Sequence, residues 1–191
     1  MSTLKDLIKK SRSYRRFYEN ETVSKETLQA LINLARLSPS ARNAQTIKYI
    51  ISNTPERNYL IFQHLAWAGY LHDWQGPEKG ERPSAYLIMV NDTRISDNYF
   101  CDEGIAAQSI LLGATEIGLG GCIIGSVERT ALQNALKIPP HFKIIQVIAI
   151  GKPKETVIIE ETVNGKIKYY RDEKGNHHVP KRPLSEIILS L

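Results

Sequence analysis

The segment from Asp102 to Ile117 constrains the fold of this chain more than any other. Its apolar side chains fall on every side of a helix instead of in one stripe: Ile105, Ala106, Ala107, Ile110, Leu111, Leu112 and Ala114. A helix that is apolar all round belongs in the interior of a domain. We therefore predict a long buried helix here, with the rest of the domain packed around it. We interpret the acidic pair Asp102-Glu103 at its start as a complement to the helix dipole.

The remaining apolar patterns predict a mixture of helices and strands. Continuous apolar runs predict strands covered on both faces at Ala85–Val90 and Ile144–Ile150, with further strands at Ile47–Ser52 and Cys122–Ile124. Helical spacing predicts amphipathic helices at Leu4–Ser11, Ser24–Leu37, Pro55–Ala68 and Glu128–Lys137. The strands and helices follow no regular βαβ repeat. The prediction is one α+β domain over residues 1–191 with three layers.

The last forty residues have a different pattern. Asn164-Gly165 suits a type I′ turn, so the flanking runs Val157–Val163 and Lys166–Tyr170 are predicted to pair as a hairpin. A final amphipathic stretch follows Pro183 and contains Leu184, Ile187, Ile188 and Leu191. Residues 69–83 are rich in glycine, aromatics and charge, which predicts an irregular excursion.

Composition excludes several classes of function. The 191 residues include two cysteines and five histidines, none in a zinc or redox spacing, and no Gly-x-Ser-x-Gly elbow occurs. There is no secretory leader pattern and no apolar run near the roughly 20 residues that cross a bilayer, so we expect a cytoplasmic protein without a membrane partner. The net charge of +5 suits nucleic acid or a phosphorylated cofactor. Because no helix carries a continuous basic face, we expect no nucleic-acid partner.

The basic segment Arg12–Phe17 is the first candidate site. It places Arg12, Arg15 and Arg16 beside the Ser13 hydroxyl, and guanidinium forks match phosphate oxygens two at a time. If the segment is extended, Ser13 and Arg15 point to one side, and Arg12, Tyr14 and Arg16 to the other. The alternative interpretation is a solvated basic turn after a helix.

Three further segments carry weaker signals. Asn43 and Gln45, in the loop that begins at Pro39 and Ser40, offer amides that suit the N3–H and carbonyl edge of a flavin, or they simply occupy a loop. Glycines at 118–125 follow a helix, in the wrong order for a dinucleotide fingerprint; they allow close approach of a flat ligand or end the helix. Lys181 and Arg182 form a cationic pair.

Together these motifs resemble the FMN-dependent nitroreductase family over nearly the whole chain. The matching positions are Arg12, Ser13, Arg15 and Phe17; Pro39, Ser40, Asn43 and Gln45; Asp102 and Gly104 to Gln108; Gly118, Leu119, Gly120, Cys122, Ile124 and Gly125; and Lys181-Arg182. Thr46 and Ile47 depart from the proline and aromatic that often follow the glutamine, and Arg42 replaces a small residue. Acceptor preference is therefore left open.

The resemblance implies a fold, a cofactor and a reaction. The fold would be a three-layer α-β-α domain with a mostly antiparallel sheet, and a homodimer would hold FMN at its interface. Hydride would pass from NADH or NADPH to a nitroaromatic, quinone or similar acceptor by a ping-pong mechanism, without a catalytic side chain. A flavin-storage protein of the same fold is the alternative.

The resemblance also assigns roles to the matching residues. Arg12, Ser13 and either Lys181 or Arg182 would hold the phosphate, and Arg15 or Arg16 would lie at the N1–C2 carbonyl edge, where reduced flavin carries its negative charge. Pro39, Ser40, Asn43 and Gln45 would lie at the ring, and Ile124 and Gly125 would approach its N5 side. The 69–83 excursion lies where the family varies most, so Tyr70, His72, Trp74 and Gln75 are further candidates for the acceptor site. The alternative is that these aromatics simply pack a loop.

Overall fold

The apolar runs pair into a four-stranded antiparallel sheet. In a computed structural model that describes residues 2–189, its strands are β1 (Ile47–Ser52), β2 (Ala85–Asp92), β3 (Gly120–Ile124) and β4 (Phe142–Gly151). The order across the sheet is β1-β2-β4-β3, and every neighbouring pair is antiparallel. The central strand β2 is buried along its whole length, as its unbroken apolar sequence predicts.

The helices are α1 (Leu4–Lys10), α2 (Lys25–Leu37), α3 (Pro55–Phe62), α4 (Asp102–Glu116), α5 (Arg129–Ala135) and α6 (Leu184–Ile187). Of these, α2 and α4 cover one face of the sheet, and α3 and α5 cover the other. The starts of α1 and α2 are fixed by Thr3 and Ser24, whose side chains accept from the backbone N–H of Asp6 and Thr27.

Two hydrophobic cores separate the layers. On one face α2 and α4 pack Leu28, Leu31 and Ile110 against the sheet residues Leu87 and Ile148. On the other face α3 and α5 pack Ile61 and Leu132 against Tyr86, Ile88 and Ala149. The predicted three-layer fold, antiparallel sheet and buried central helix are confirmed.

The helix predicted over Pro55–Ala68 is too long. The observed α3 ends at Phe62, where His64 and Leu65 donate backbone hydrogen bonds three residues back, to Ile61 and Phe62. Leu65 then pairs with Val127 as an isolated bridge. The chain leaves the helix because its backbone joins the connection after β3.

The predicted hairpin over 157–170 is wrong, although its turn forms. Asn164 and Gly165 both have positive φ, 51° and 69°, and Lys166 N–H donates to Val163 O at 3.1 Å. The strands of the second sheet are β5 (Val157–Glu161), β6 (Tyr170–Arg171) and β7 (His177–Lys181), in the order β5-β7-β6. β7 lies parallel to β5 and occupies the position that the hairpin partner would take.

Burial explains why β7 displaces the local partner. His177, the first residue of β7, is 1% exposed, whereas the residues that follow the turn, Lys166 to Lys168, are exposed. The tertiary packing of β7 therefore outweighs the local pairing of the two runs that flank the turn. The final amphipathic stretch forms the short helix α6, and its Leu191 lies outside the described residues. Within residues 2–189, no helix has the length and apolar character needed to cross a bilayer.

Candidate functional site

The basic segment Arg12–Phe17 is fixed against the edge of the main sheet. Ser13 forms a parallel bridge with Gly121 of β3, and Tyr14 N–H donates to Gly121 O at 3.0 Å. Phe17, which is fully buried, bridges to Pro153 just after β4. The segment is therefore an ordered part of the fold, and the alternative of a solvated basic turn does not describe it.

A buried carboxylate that the sequence analysis did not single out accepts hydrogen bonds from the backbone of this segment. Glu155 accepts the backbone N–H groups of Arg15 and Arg16, and it accepts from the Arg171 guanidinium at 3.2 Å. Its side chain is fully buried. An acidic residue between Lys154 and Thr156 has no sequence signal that distinguishes it, because its partners lie far away along the chain.

Two adjoining cavities lie in front of the segment, and we call them together the cleft. One has a volume of about 290 Å³ and is lined by Arg12, Ser13, Arg15 and Lys181, with Gln108 and Leu111 of α4. The other has a volume of about 220 Å³ and is lined by Ile124, Gly125 and the chain from Ala66 to Gly69. Arg15, Ile123 and Tyr169 line both.

A turn in the backbone brings Arg12 to the same side as Ser13 and Arg15. Tyr14 N–H also donates to Arg12 O at 2.9 Å, which closes a three-residue turn. The strict alternation of an extended strand therefore fails at this point. The Tyr14 side chain lies against Gly120 instead, and its hydroxyl donates to Lys10 O at 2.9 Å.

Some of the predicted cations are paired with a carboxylate in the structure, and others are not. Arg16 pairs with Glu81 at 2.5 Å and Arg182 pairs with Glu186 at 2.7 Å, and neither lines the cleft. Among residues 2–189, no carboxylate oxygen lies within 4.0 Å of a side-chain nitrogen of Arg12, Arg15 or Lys181, although Glu155 accepts the backbone N–H of Arg15. The cleft is thus lined by positive charges that the described residues leave uncompensated.

Arg12 shows most directly that the cleft suits an anion. Its Nη2 donates to Ile8 O at 2.5 Å, but its Nε is buried and has no hydrogen-bond partner among the described residues. Burial lowers the pKa of the guanidinium from its usual value. A buried donor without an acceptor is costly, and an anionic ligand in the cleft would supply one.

Arg15 is held by uncharged groups. Its Nη1 donates to Ser13 O at 3.2 Å and lies 3.1 Å from Nε2 of His177, and the guanidinium lies over the Tyr169 ring, 4.8 Å from its centroid. Burial, and then the nearby charges of Arg15 and Arg171, lower the pKa of His177 to about 4. Sequence reasoning missed His177, since nothing in its local sequence distinguishes it from the neighbouring His178.

The loop that carries Pro39, Ser40, Asn43 and Gln45 lies apart from the cleft of its own chain. Pro39, Ser40 and Gln45 line a separate cavity of about 80 Å³ beside Asp102 and Tyr49. Asn43 and Gln45 are exposed, and both have positive φ, 52° and 51°. Such backbone conformations are strained outside glycine and persist only where surrounding structure enforces them.

The two glycines that line the cleft, Gly69 and Gly125, leave space in it. A Cβ added at Gly125 or Gly69 would meet no atom within 4 Å. At Gly121, by contrast, a Cβ would collide with the backbone oxygen of Ala149. Gly121 therefore serves packing inside the sheet, whereas Gly125 keeps the wall of the cleft open.

The excursion at 69–83 reaches the cleft only at its start. Gly69 lines the smaller cavity, and the Tyr70 ring packs against Tyr169 with centroids 4.9 Å apart. Trp74 lies under the Arg171 guanidinium at 4.2 Å from the ring centroid. Within residues 2–189, no three His, Cys, Asp or Glu side chains form a group that could hold a metal ion.

The layer order and the antiparallel sheet place this chain in the class of nitroreductase-fold proteins. A nitroreductase family protein from Streptococcus pneumoniae TIGR4 superposes with a TM-score of 0.70 over 99% of this chain and 100% of its own, at 18% identity. An FMN-dependent nitroreductase from Clostridium difficile R20291 superposes with a TM-score of 0.62 over 83% of this chain and 91% of its own, at 24% identity. These likenesses show the fold.

Sequence comparison shows the family. The sequence model of the Nitroreductase family matches residues 8–152, and the chain belongs to this family. A relative from Archaeoglobus fulgidus, with the provisional name NADH dehydrogenase/NAD(P)H nitroreductase, is 26% identical over 148 residues, 73% of this chain and 80% of its own length. The Bacillus subtilis protein YodC, provisionally named an NAD(P)H nitroreductase, is 24% identical over 80% of this chain and 90% of its own length.

Proposed function

We propose that this chain is an FMN-dependent oxidoreductase that passes hydride from NADH or NADPH to a small acceptor such as a nitroaromatic or a quinone. The observation that carries the proposal is the cleft: Arg12, Arg15 and Lys181 converge there without a neutralising carboxylate among the described residues. Family membership and the nicotinamide named for the relatives support the same reaction class.

The residues of the cleft fit FMN. Arg12, Ser13 and Lys181 would hold the phosphate, because the buried Nε of Arg12 needs an acceptor and the Ser13 hydroxyl adds a short donor. Arg15 would lie at the N1–C2 carbonyl edge, and the open backbone at Ile124 and Gly125 would approach the N5 side. FMN when bound would supply the hydride chemistry, and the protein would supply position and electric field.

We assign the loop 39–45 to the cleft of a second copy. In one chain its exposed amides lie at a separate cavity, so a homodimer would be needed to bring Asn43 and Gln45 to a flavin ring. Apolar side chains that are exposed on the single chain support an interface: Leu4, Ile8, Leu37, Leu184, Ile187, Ile188 and Leu189. Four of them, Leu184, Ile187, Ile188 and Leu189, lie within six residues, and large exposed apolar patches commonly mark protein association.

We propose a ping-pong order, in which one cleft would serve both substrates in turn. The nicotinamide would leave before the acceptor enters, and no protein acid or base is needed for hydride transfer. A cytoplasmic location stays a prediction.

A visible spectrum of the purified protein tests the proposal. We expect a yellow protein, or a colourless one that takes up FMN stoichiometrically and becomes yellow. A preparation that takes up no FMN would contradict the proposed cofactor. Anaerobic mixing with NADH and with NADPH then separates an enzyme, which bleaches, from a flavin-storage protein, which keeps its colour.

A further inference from the structure

The Arg15 guanidinium is oriented by its surroundings but not neutralised by them. Its contacts are the Ser13 carbonyl at 3.2 Å, His177 Nε2 at 3.1 Å and the Tyr169 ring at 4.8 Å. Arg16 and Arg171, by contrast, each donate to a carboxylate, Glu81 and Glu155. Arg15 therefore keeps its charge while its position is fixed.

The contact with Arg15 determines the protonation state of His177. Arginine offers only donors, so Nε2 must accept and Nδ1 must carry the proton. Nδ1 is buried and has no hydrogen-bond acceptor among the described residues, so the contact with Arg15 alone sets this tautomer. The charged groups that face the imidazole are Arg15, Arg171 and His178, and all three lower its pKa in addition to burial. The ring is therefore neutral near pH 7.

The fold prevents the imidazole from turning away. His177 is 1% exposed and starts β7, the middle strand of the second sheet. Its backbone N–H donates to Thr156 O at 2.8 Å, and it lies opposite Val157 of β5 and Arg171 of β6. The backbone of His177 is thus held between two strands, and its buried side chain contacts Arg15.

A neutral acceptor has a different effect from a carboxylate at this position. A carboxylate would hold the guanidinium more strongly, but it would cancel the charge that faces the cleft. We propose that His177 is a positioning residue: as an uncharged acceptor it orients Arg15, so that Arg15 presents an uncompensated positive charge to the N1–C2 carbonyl edge of the flavin. The identity of that ligand rests on the proposed function.

The first test uses the chain without FMN. ¹⁵N NMR of the imidazoles, with His177 assigned from its absence in His177→Gln, should show a neutral ring at pH 7 with the proton on Nδ1. Arg15→Gln should raise the pKa of His177, because the nearby positive charge is removed. His178→Gln is the matched control and should leave the tautomer unchanged. A charged ring at pH 7, a proton on Nε2, or no response to Arg15→Gln would overturn the contact.

The second test measures what the neutral acceptor does for the ligand. Dissociation constants of oxidised and of reduced FMN are compared in wild type, His177→Gln and His177→Glu, with His178→Gln again as control. His177→Glu should weaken the binding of reduced FMN relative to that of oxidised FMN by about tenfold. This factor corresponds to the low end of the range for a hydrogen bond to a charged group. His177→Gln, which keeps a neutral acceptor, and His178→Gln should preserve the wild-type ratio.

The two tests fail in distinguishable ways. Either of two results would overturn the electrostatic role of His177. His177→Glu could leave the ratio of the dissociation constants of reduced and oxidised FMN unchanged, or His177→Gln could change that ratio as much as His177→Glu does. A wild-type chain that binds no FMN would instead overturn the proposed function, while the imidazole tautomer still reports on the Arg15 contact alone.

Discussion

Asp102 and Ser40 are joined by a hydrogen bond of 2.6 Å, from the serine hydroxyl to Oδ2 of the carboxylate. The other carboxylate oxygen accepts from Ala41 N–H at 2.9 Å. Asp102 is 5% exposed at the start of α4, where the sequence predicted only a complement to the helix dipole. It also ties the central helix to the loop that carries Asn43 and Gln45.

We predict that Asp102→Ala lowers the free energy of unfolding by about 1–3 kcal/mol, because it leaves the partly buried donors of Ser40 and Ala41 without their acceptor. Denaturant titration measures the change. Glu103→Gln, at the next helical position, keeps the loop contacts and should change stability less. If the two substitutions lowered the free energy of unfolding equally, the helix dipole, and not the hydrogen bond to Ser40, would explain the role of Asp102.

Arg12→Ala should weaken FMN binding by about 1.5–3 kcal/mol, the range for a hydrogen bond to a charged group. Arg12→Lys should lie between wild type and Ala, since lysine keeps the charge but loses the planar donor fork. Titration of the apoprotein with FMN gives both values. Unchanged affinity in Arg12→Ala would remove this residue from the phosphate site.

The adjacent cations Lys181 and Arg182 should behave differently. Lys181 lines the cleft, whereas Arg182 is engaged with Glu186 four residues on. Lys181→Ala should weaken FMN binding, and Arg182→Ala should lose only an exposed ion pair worth at most about 0.5 kcal/mol of stability. The same FMN titration decides, and a larger loss of affinity in Arg182→Ala would reverse the assignment.

Gly125 and Gly121 should respond oppositely to a larger side chain. Gly125→Leu should fold normally, since a Cβ there meets no atom within 4 Å, but it should obstruct the cleft and reduce FMN uptake. Gly121→Ala should lower the melting temperature, because its Cβ would collide with Ala149 O. Thermal denaturation and FMN titration of each variant separate the two effects. A destabilised Gly125→Leu that binds FMN normally would contradict this division.

Stability should fall in acid as Glu81 is protonated. Hydrogen bonding and charge from Arg16 and Lys154 lower the pKa of Glu81 from 4.5 to about 2. A carboxyl group with a lowered pKa stabilises the folded state above its unfolded pKa, and this contribution is lost as pH falls from about 4.5 to about 2. Glu81→Gln should flatten the decline in unfolding free energy over this range, and an unchanged profile would exclude the ion pairs as its cause.

Local sequence patterns predicted most of the fold. The all-round apolar character of Asp102–Glu116 predicts a buried helix wherever it occurs, and the apolar run that became β2 permits little except a covered strand. The turn at Asn164-Gly165 also formed as its residue types predict. These patterns succeed because periodicity and turn chemistry act between residues only a few positions apart.

Only the tertiary structure decided which predicted cations face the cleft. The sequence offers Arg15-Arg16 and Lys181-Arg182 as equivalent neighbours, and the fold neutralises one of each pair with Glu81 or Glu186 while the other lines the cleft. Glu155, His177 and the insertion of β7 beside β5 were likewise absent from the sequence interpretation. Most of these contacts join residues tens of positions apart, so they exist only once the packed layers bring them together, and no local period encodes them.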